Sequence, residues 1–157
     1  MSAENVELVR TLQPAEADLV EIFLSDSGDV TAEYEVSDPR FADDFHVEFV
    51  SATPGVMRPS YEGLAGFLAG WREWLQPYAS YWMTTEDFID GGDRVLVLVK
   101  VRAKTARDGV TVEHSPAAVW TVADGKAAGV RLYLDRETAF AEAGIPLDAK
   151  PVEDPSR

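Results

Sequence analysis

The chain contains no cysteine, only two histidines, and 14 Lys and Arg against 28 Asp and Glu. Without cysteine there can be no disulfide, no thiolate nucleophile and no cysteine-ligated metal. His46 and His114 are far apart in sequence with no evident third ligand, which makes a poor metal site. No metal and no cofactor is therefore expected. A net charge of −14, with the ten arginines scattered, argues against nucleic acid, whose binding depends on a positive field. No apolar run approaches the roughly 18 residues of a membrane span. Met1 to Glu7 carries no basic segment of the kind that opens a secretory signal. A cytoplasmic protein with a self-repelling acidic surface is the expectation. Phosphate cradles are lacking too: Gly63-x-x-Gly66 has no basic partner, and Gly91-Gly92 reads as a hairpin turn.

What is present is a globular composition, 46% hydrophobic over 157 residues, enough for one domain with a real core. A single domain is expected over residues 1–146, followed by a disordered tail at 147–157 carrying Pro151 and Pro155. Val6, Leu8, Val9 and Leu12 are close to helical spacing over Glu4 to Leu12, with Ser2 as N-cap. Pro14 suits the first turn of a second helix carrying Leu19, Val20, Ile22, Phe23 and Leu24. Residues 25–38 are acidic and ambiguous. A helical turn through Phe41 leads into an alternating strand, Phe45 to Val50, and residues 52–60 read as a loop. A third helix spans Glu62 to Gln76 with an apolar stripe of Leu64, Phe67, Leu68, Trp71, Trp74 and Leu75. Strands follow at about 80–90, 94–104, 110–122 and 127–134, then a short helix at 137–143.

Three helices before a long meander imply an α+β fold: a cone-shaped, curved antiparallel sheet with the N-terminal helices over its concave face. Val95 to Val101 is apolar on both faces, which in an antiparallel sheet calls for cover on both sides. A partner subunit is the expected second cover, giving a homodimer through the outer sheet face.

The order of motifs carries a resemblance. Phe41-Ala42-Asp43-Asp44-Phe45-His46-Val47-Glu48-Phe49 resembles a ketosteroid isomerase segment. Val119 to Lys126 is similar to the terminal hairpin of the SnoaL-like branch of the nuclear transport factor 2-like superfamily. With Tyr61-Glu62-Gly63 and Tyr133-Leu134-Asp135-Arg136, the resemblance spans about residues 4 to 144. It implies a pocket fold that serves isomerases, cyclases, epoxide hydrolases, dehydratases and non-catalytic binders alike, so fold alone does not assign function.

By the resemblance, the isomerase base falls at Phe49, its acid near Ala118 and its tyrosine near Thr11. The epoxide hydrolase aspartate falls at Leu132, and its Arg-x-Asp pair near Val99 and Val101. None of these roles is filled as the resemblance requires, and a different constellation remains open. A hydrocarbon accepts no proton, and general acid–base help of roughly 10²–10⁴-fold is lost with it.

His114 remains the first catalytic candidate, with Glu86 second. The facing of His114 depends on the hairpin, because a one-residue slip reverses every side chain. A two-residue Asp124-Gly125 turn would pair His114 with Asp135. A three-residue Ala123-Asp124-Gly125 loop with a glycine bulge would instead put His114, Ala118 and Trp120 beside Val130, Leu132 and Leu134. The second gives the coherent apolar face and is favoured. His46 is expected to face outward, and Asp135 to cap the last helix. The residues expected to line a ligand pocket are Phe49, Phe67, Trp71, Trp82, Val99, Val101, Ala118, Trp120, Val130, Leu132 and Leu134.

These features describe a pocket that binds a small hydrophobic molecule. Two alternatives stand beside it: a cofactor-free cyclase, isomerase or dehydratase acting on a polyketide- or steroid-like substrate, and a structural dimerisation module whose aromatic side chains fill the cone.

Overall fold

A computed structural model describes residues 2–24, 39–50 and 60–152. The acidic stretch 25–38 and nearly all of the expected loop at 52–60 lie outside it, as do residues 153–157. The helices are α1 (Ser2–Leu12), α2 (Leu19–Leu24), α3 (Gly63–Leu75) and α4 (Arg136–Ala143). The strands are β1 (Glu16–Asp18), β2 (Phe41–Val50), β3 (Ser60–Glu62), β4 (Tyr78–Asp90), β5 (Arg94–Thr105), β6 (Thr111–His114), β7 (Ala117–Ala123) and β8 (Lys126–Tyr133). Together they form one curved, open sheet in the order β1-β4-β5-β7-β8-β2-β3, with β6 pairing β5. All pairings are antiparallel except β2 with β8. This is the α+β architecture that the sequence implied.

Alternation along β5 explains both layers of the core. Val95, Val97, Val99, Val101 and Ala103 face the concave side, where α1, α2 and α3 pack. Leu96 and Leu98 face the other way, against Ala139, Phe140 and Ala143 of α4 and the following Ile145. The second cover for this two-faced strand therefore comes from the chain itself. At that stretch α4, whose short apolar face is hard to distinguish from a cap in the sequence, supplies cover that was expected from a partner subunit.

Other expectations shift for identifiable reasons. The second helix begins at Leu19, not Pro14, because residues 14–18 bond to the edge of β4. Thr85 N–H donates to Ala15 O at 2.8 Å, and Thr85 Oγ1 to Pro14 O at 2.8 Å. Asp18 Oδ1 then accepts from Val20 N–H and Tyr81 N–H, each at 3.0 Å, capping the helix and tying it to β4. Phe41 is extended, not helical, because it pairs with Ala127 of β8. The strand expected at 110–122 is broken at Ser115-Pro116, since proline has no N–H for the ladder; β5 carries the same register across the gap. The tail expected to be disordered is anchored as far as Val152, whose N–H donates to Phe88 O at 2.7 Å.

The last hairpin combines the two alternatives. Asp124 (φ 52°) and Gly125 (φ 73°) both lie in the left-handed region, so the turn is the two-residue primed type and not the favoured three-residue loop. Ala128 is then an extra residue, a bulge that shifts the register between Thr121 and Val122. Beyond it, Ala118 faces Leu132 and Trp120 faces Val130, the arrangement the longer loop was expected to give. His114 takes no part in this pairing; it lies opposite Val101 of β5.

α3 comes very close to β2 and β3. A Cβ on Gly70 would stand 2.8 Å from Phe49 Cε2 and 2.9 Å from Tyr61 Cδ2. The glycine lets the helix lie directly on those rings, bringing Phe67, Trp71 and Trp74 over the concave face.

Candidate functional site

Between the helices and the concave face of the sheet, the described residues enclose a cavity of about 420 Å³. Its wall is aliphatic on the strand side, with Val99, Val101, Ala118, Val130 and Leu132, and aromatic on the helix side. The rings are locked together: Phe49 stacks on Trp74 at 5.5 Å, and Phe23 on Trp71 at 5.7 Å. Phe67, Trp120 and Leu134 complete the expected lining. Trp82 does not join it. That ring is 44% exposed on the opposite face of β4, and its N–H donates to Glu16 Oε1 at 2.9 Å. The residue on the cavity side is its neighbour Tyr81, because successive strand residues face opposite ways.

Phe49, Ala118, Thr11, Leu132, Val99 and Val101, the positions where the resemblance places catalytic groups, all line this one cavity. Its described wall contains no Asp, Glu or His; Arg10 is its one charged residue. The Arg10 guanidinium lies 4.7 Å from the centre of the Phe88 ring, and its Nε is 3.3 Å from Glu7. The polar groups are mostly occupied by one another. Trp120 N–H donates to Gln13 Oε1 at 3.3 Å, and Gln13 Nε2 contacts Met83 Sδ at 3.7 Å. Trp74 N–H donates to the Tyr81 hydroxyl at 3.3 Å.

The two catalytic candidates lie outside this wall. Glu86 is the bulged residue of β4, held by Arg136 Nη2 at 2.5 Å and Lys100 at 3.7 Å. Arg136 also donates to Val99 O at 2.8 Å and Ser115 O at 3.0 Å, so Glu86 anchors a brace between α4 and the sheet. His114 lies behind Tyr81, its Nε2 3.2 Å from the hydroxyl. Desolvation lowers the His114 pKa, and burial pushes that of Tyr81 up to about 12. The imidazole thus favours its neutral form, and the phenol keeps its proton. His46 is exposed, as expected, and its ring lies over Gly129. Asp135 caps α4, accepting from Thr138 N–H at 3.3 Å and Thr138 Oγ1 at 2.6 Å; these bonds lower its pKa.

Tyr81 and Gln13 are among the lining residues that the expected set omitted, and they carry much of its polar chemistry. Alternation with Met83 could have suggested Tyr81, had the facing of β4 been known. Gln13 had no signal, because its place depends on where α1 ends against the sheet.

An open cone-shaped sheet roofed by helices over an apolar pocket defines a known class of domain. The profile of the SnoaL-like domain matches residues 31–130, and the chain belongs to that family. Solved structures agree on the fold. A candidate SnoaL-like polyketide cyclase from Jannaschia sp. CCS1 is 18% identical, with 92% of this chain and 94% of that one covered and a TM-score of 0.58. TerC, crystallised with polyporic acid, is 22% identical over 89% and 97% of the two chains, with a TM-score of 0.55. A protein with a ketosteroid isomerase-like fold from Catenulispora acidiphila DSM 44928, in complex with trimethylamine, is 13% identical over 84% and 93%, with a TM-score of 0.51. No curated protein sequence matches the chain significantly.

Proposed function

We propose that this SnoaL-like domain binds a small, flat hydrophobic molecule in its cone. The observation that carries the reading is the cavity itself: about 420 Å³, walled by stacked aromatic rings and branched aliphatics, with no carboxylate among its described lining residues. Pockets of roughly 300–1,000 Å³ with a few polar groups suit ligands of this kind. A cavity lying open among the described residues also weighs against a purely structural module, which would fill it. Trp71, Trp74 and Trp120 report on the site. Titration with naphthalene- and steroid-like probes is expected to quench tryptophan fluorescence saturably. Ala118→Phe, which intrudes on the wall, is expected to abolish that quenching while the circular dichroism of the fold persists. Absence of saturable binding by every probe overturns the reading.

A second reading is favoured by the Tyr81–His114 contact: a cofactor-free isomerase, cyclase or dehydratase in which Tyr81 delivers or holds a proton for a polyketide- or steroid-like substrate. Turnover lost in His114→Ala and kept in His46→Ala is its expected signature. Turnover unaffected by His114→Ala removes it.

A further inference from the structure

We propose that a second copy of this chain joins the free edge of β6, strand against strand about a two-fold axis at Val112, and extends the sheet across two subunits. The hydrogen bonds of the β5–β6 hairpin decide which groups are available. Thr105 N–H donates to Val110 O at 2.9 Å, and Val99 N–H to Pro116 O at 3.2 Å. Val112 and His114, in step with these, lie opposite Ala103 and Val101 and turn their backbone groups toward β5. Thr111 and Glu113 therefore turn N–H and C=O the other way, where no described strand pairs with them. The same alternation aims the Ser115 carbonyl outward, and that one is taken: Arg136 Nε donates to it at 3.0 Å. The edge is apolar as well, since Val110 is 54% and Val112 36% exposed. An unpaired edge carrying exposed valines is a template for another strand.

The register selects the occupant. In antiparallel pairing, outward-turned residues must stand opposite each other to exchange their bonds. An axis at Glu113 sets two carboxylates face to face, which is destabilising. One at His114 needs the Ser115 carbonyl that Arg136 already holds. One at Thr111 or Val110 calls on Gly109, which is in the turn with φ 65°. An axis at Val112 sets Thr111 opposite the partner's Glu113 twice, with every outward donor and acceptor used and no like charges opposed. Val112 then meets the partner's Val112 on the side that Ala103 faces. His114, whose Nε2 is 3.2 Å from the Tyr81 hydroxyl, meets the partner's Val110. The second subunit thus shields the Tyr81–His114 contact from solvent. This interface does not depend on what the cone binds.

Because the chain has no cysteine, Val112→Cys tests the register directly. Opposed residues of this kind have Cα atoms about 4.5 Å apart, within disulfide range. The two Val110 positions would be four residues, roughly 13 Å, out of step. Oxidised Val112→Cys is expected to run as a covalent dimer on non-reducing gels, and Val110→Cys as a monomer. A second pair of variants needs no cysteine. Thr111→Glu sets a carboxylate opposite the partner's Glu113, and Thr111→Lys an ammonium. By sedimentation equilibrium the first is expected to weaken the dimer by about 2- to 30-fold, and the second to tighten it, two cross-strand pairs changing at once. Within the chain, residue 111 stands opposite Lys104, so the glutamate suits the monomer and the lysine does not; a folding defect would give the reverse order. A wild type that stays monomeric at every accessible concentration overturns the inference. So does equal cross-linking of the two cysteine variants, or a dimer indifferent to both changes at Thr111.

Discussion

Gly70 of α3 lies against Phe49 of β2 with no room for even a methyl group: a Cβ there would come within 2.8 Å of the Phe49 ring. Phe49 is buried and is wedged between Trp71 and Trp74, so it has no solvent-side refuge. Gly70→Ala is expected to lift the helix or drive the ring into the cavity, costing about 1–3 kcal/mol of stability by chemical denaturation. It is also expected to weaken any ligand of the cone. Unchanged stability would mean that the helix and sheet are less closely packed than this.

Arg136 joins Glu86, Val99 and Ser115 through bonds made on the outer side of the sheet. Arg136→Ala is expected to lose about 1–3 kcal/mol, because it removes one donor from each of three acceptors at once. Ligand affinity measured by fluorescence should hardly change. A large loss of affinity at equal foldedness would return Glu86 to the site.

His114 carries a sign that can be worked out. Its pKa is lowered by desolvation, so between that value and the ordinary 6.5 the unfolded chain holds more protons than the folded one. The contribution is fully present above about pH 6.5 and is lost as pH falls toward the lowered value. Thermal melts at about pH 7.5 and about pH 5.5 should show a larger acid-side drop for wild type than for His114→Gln. Equal drops would place the imidazole in solvent.

Asp135 is exposed, yet its carboxylate closes the first turn of α4 through Thr138. Asp135→Ala is expected to lower the melting temperature by a few degrees, Asp135→Asn by less, because asparagine also caps. Neither should affect ligand binding. Identical melts for all three proteins would deny the cap.

The parts of this molecule that were legible in its sequence are those where side-chain period alone decides. Phe45, Val47 and Phe49 alternate on β2, and all three are buried on the concave side. The strip Ala118, Trp120, Val130 and Leu132 was likewise readable as one wall. Tyr81 and Trp82 were not: two adjacent aromatic residues satisfy either facing, and the register shifts in β4, one between Thr85 and Asp87, remove the count that would choose between them. Glu86 was misplaced for the same reason. It occupies that bulge, and its partner Arg136 is fifty residues away. The cover over Leu96 was missed because α4 is two turns long and its Ala139 and Ala143 look like spacers until they meet the sheet.

The Asp124-Gly125 turn and the Ala128 bulge keep a shared tally of residues. The turn holds two residues where the span between Trp120 and Val130 leaves room for three, and the bulge takes up the extra one. The alignment of the wall is therefore indifferent to the residue at Ala128: without it the hairpin pairs regularly from the turn and Trp120 still faces Val130. A residue gained between Gly129 and Val130 instead slips the pairing by one and turns Val130 and Leu132 inside out.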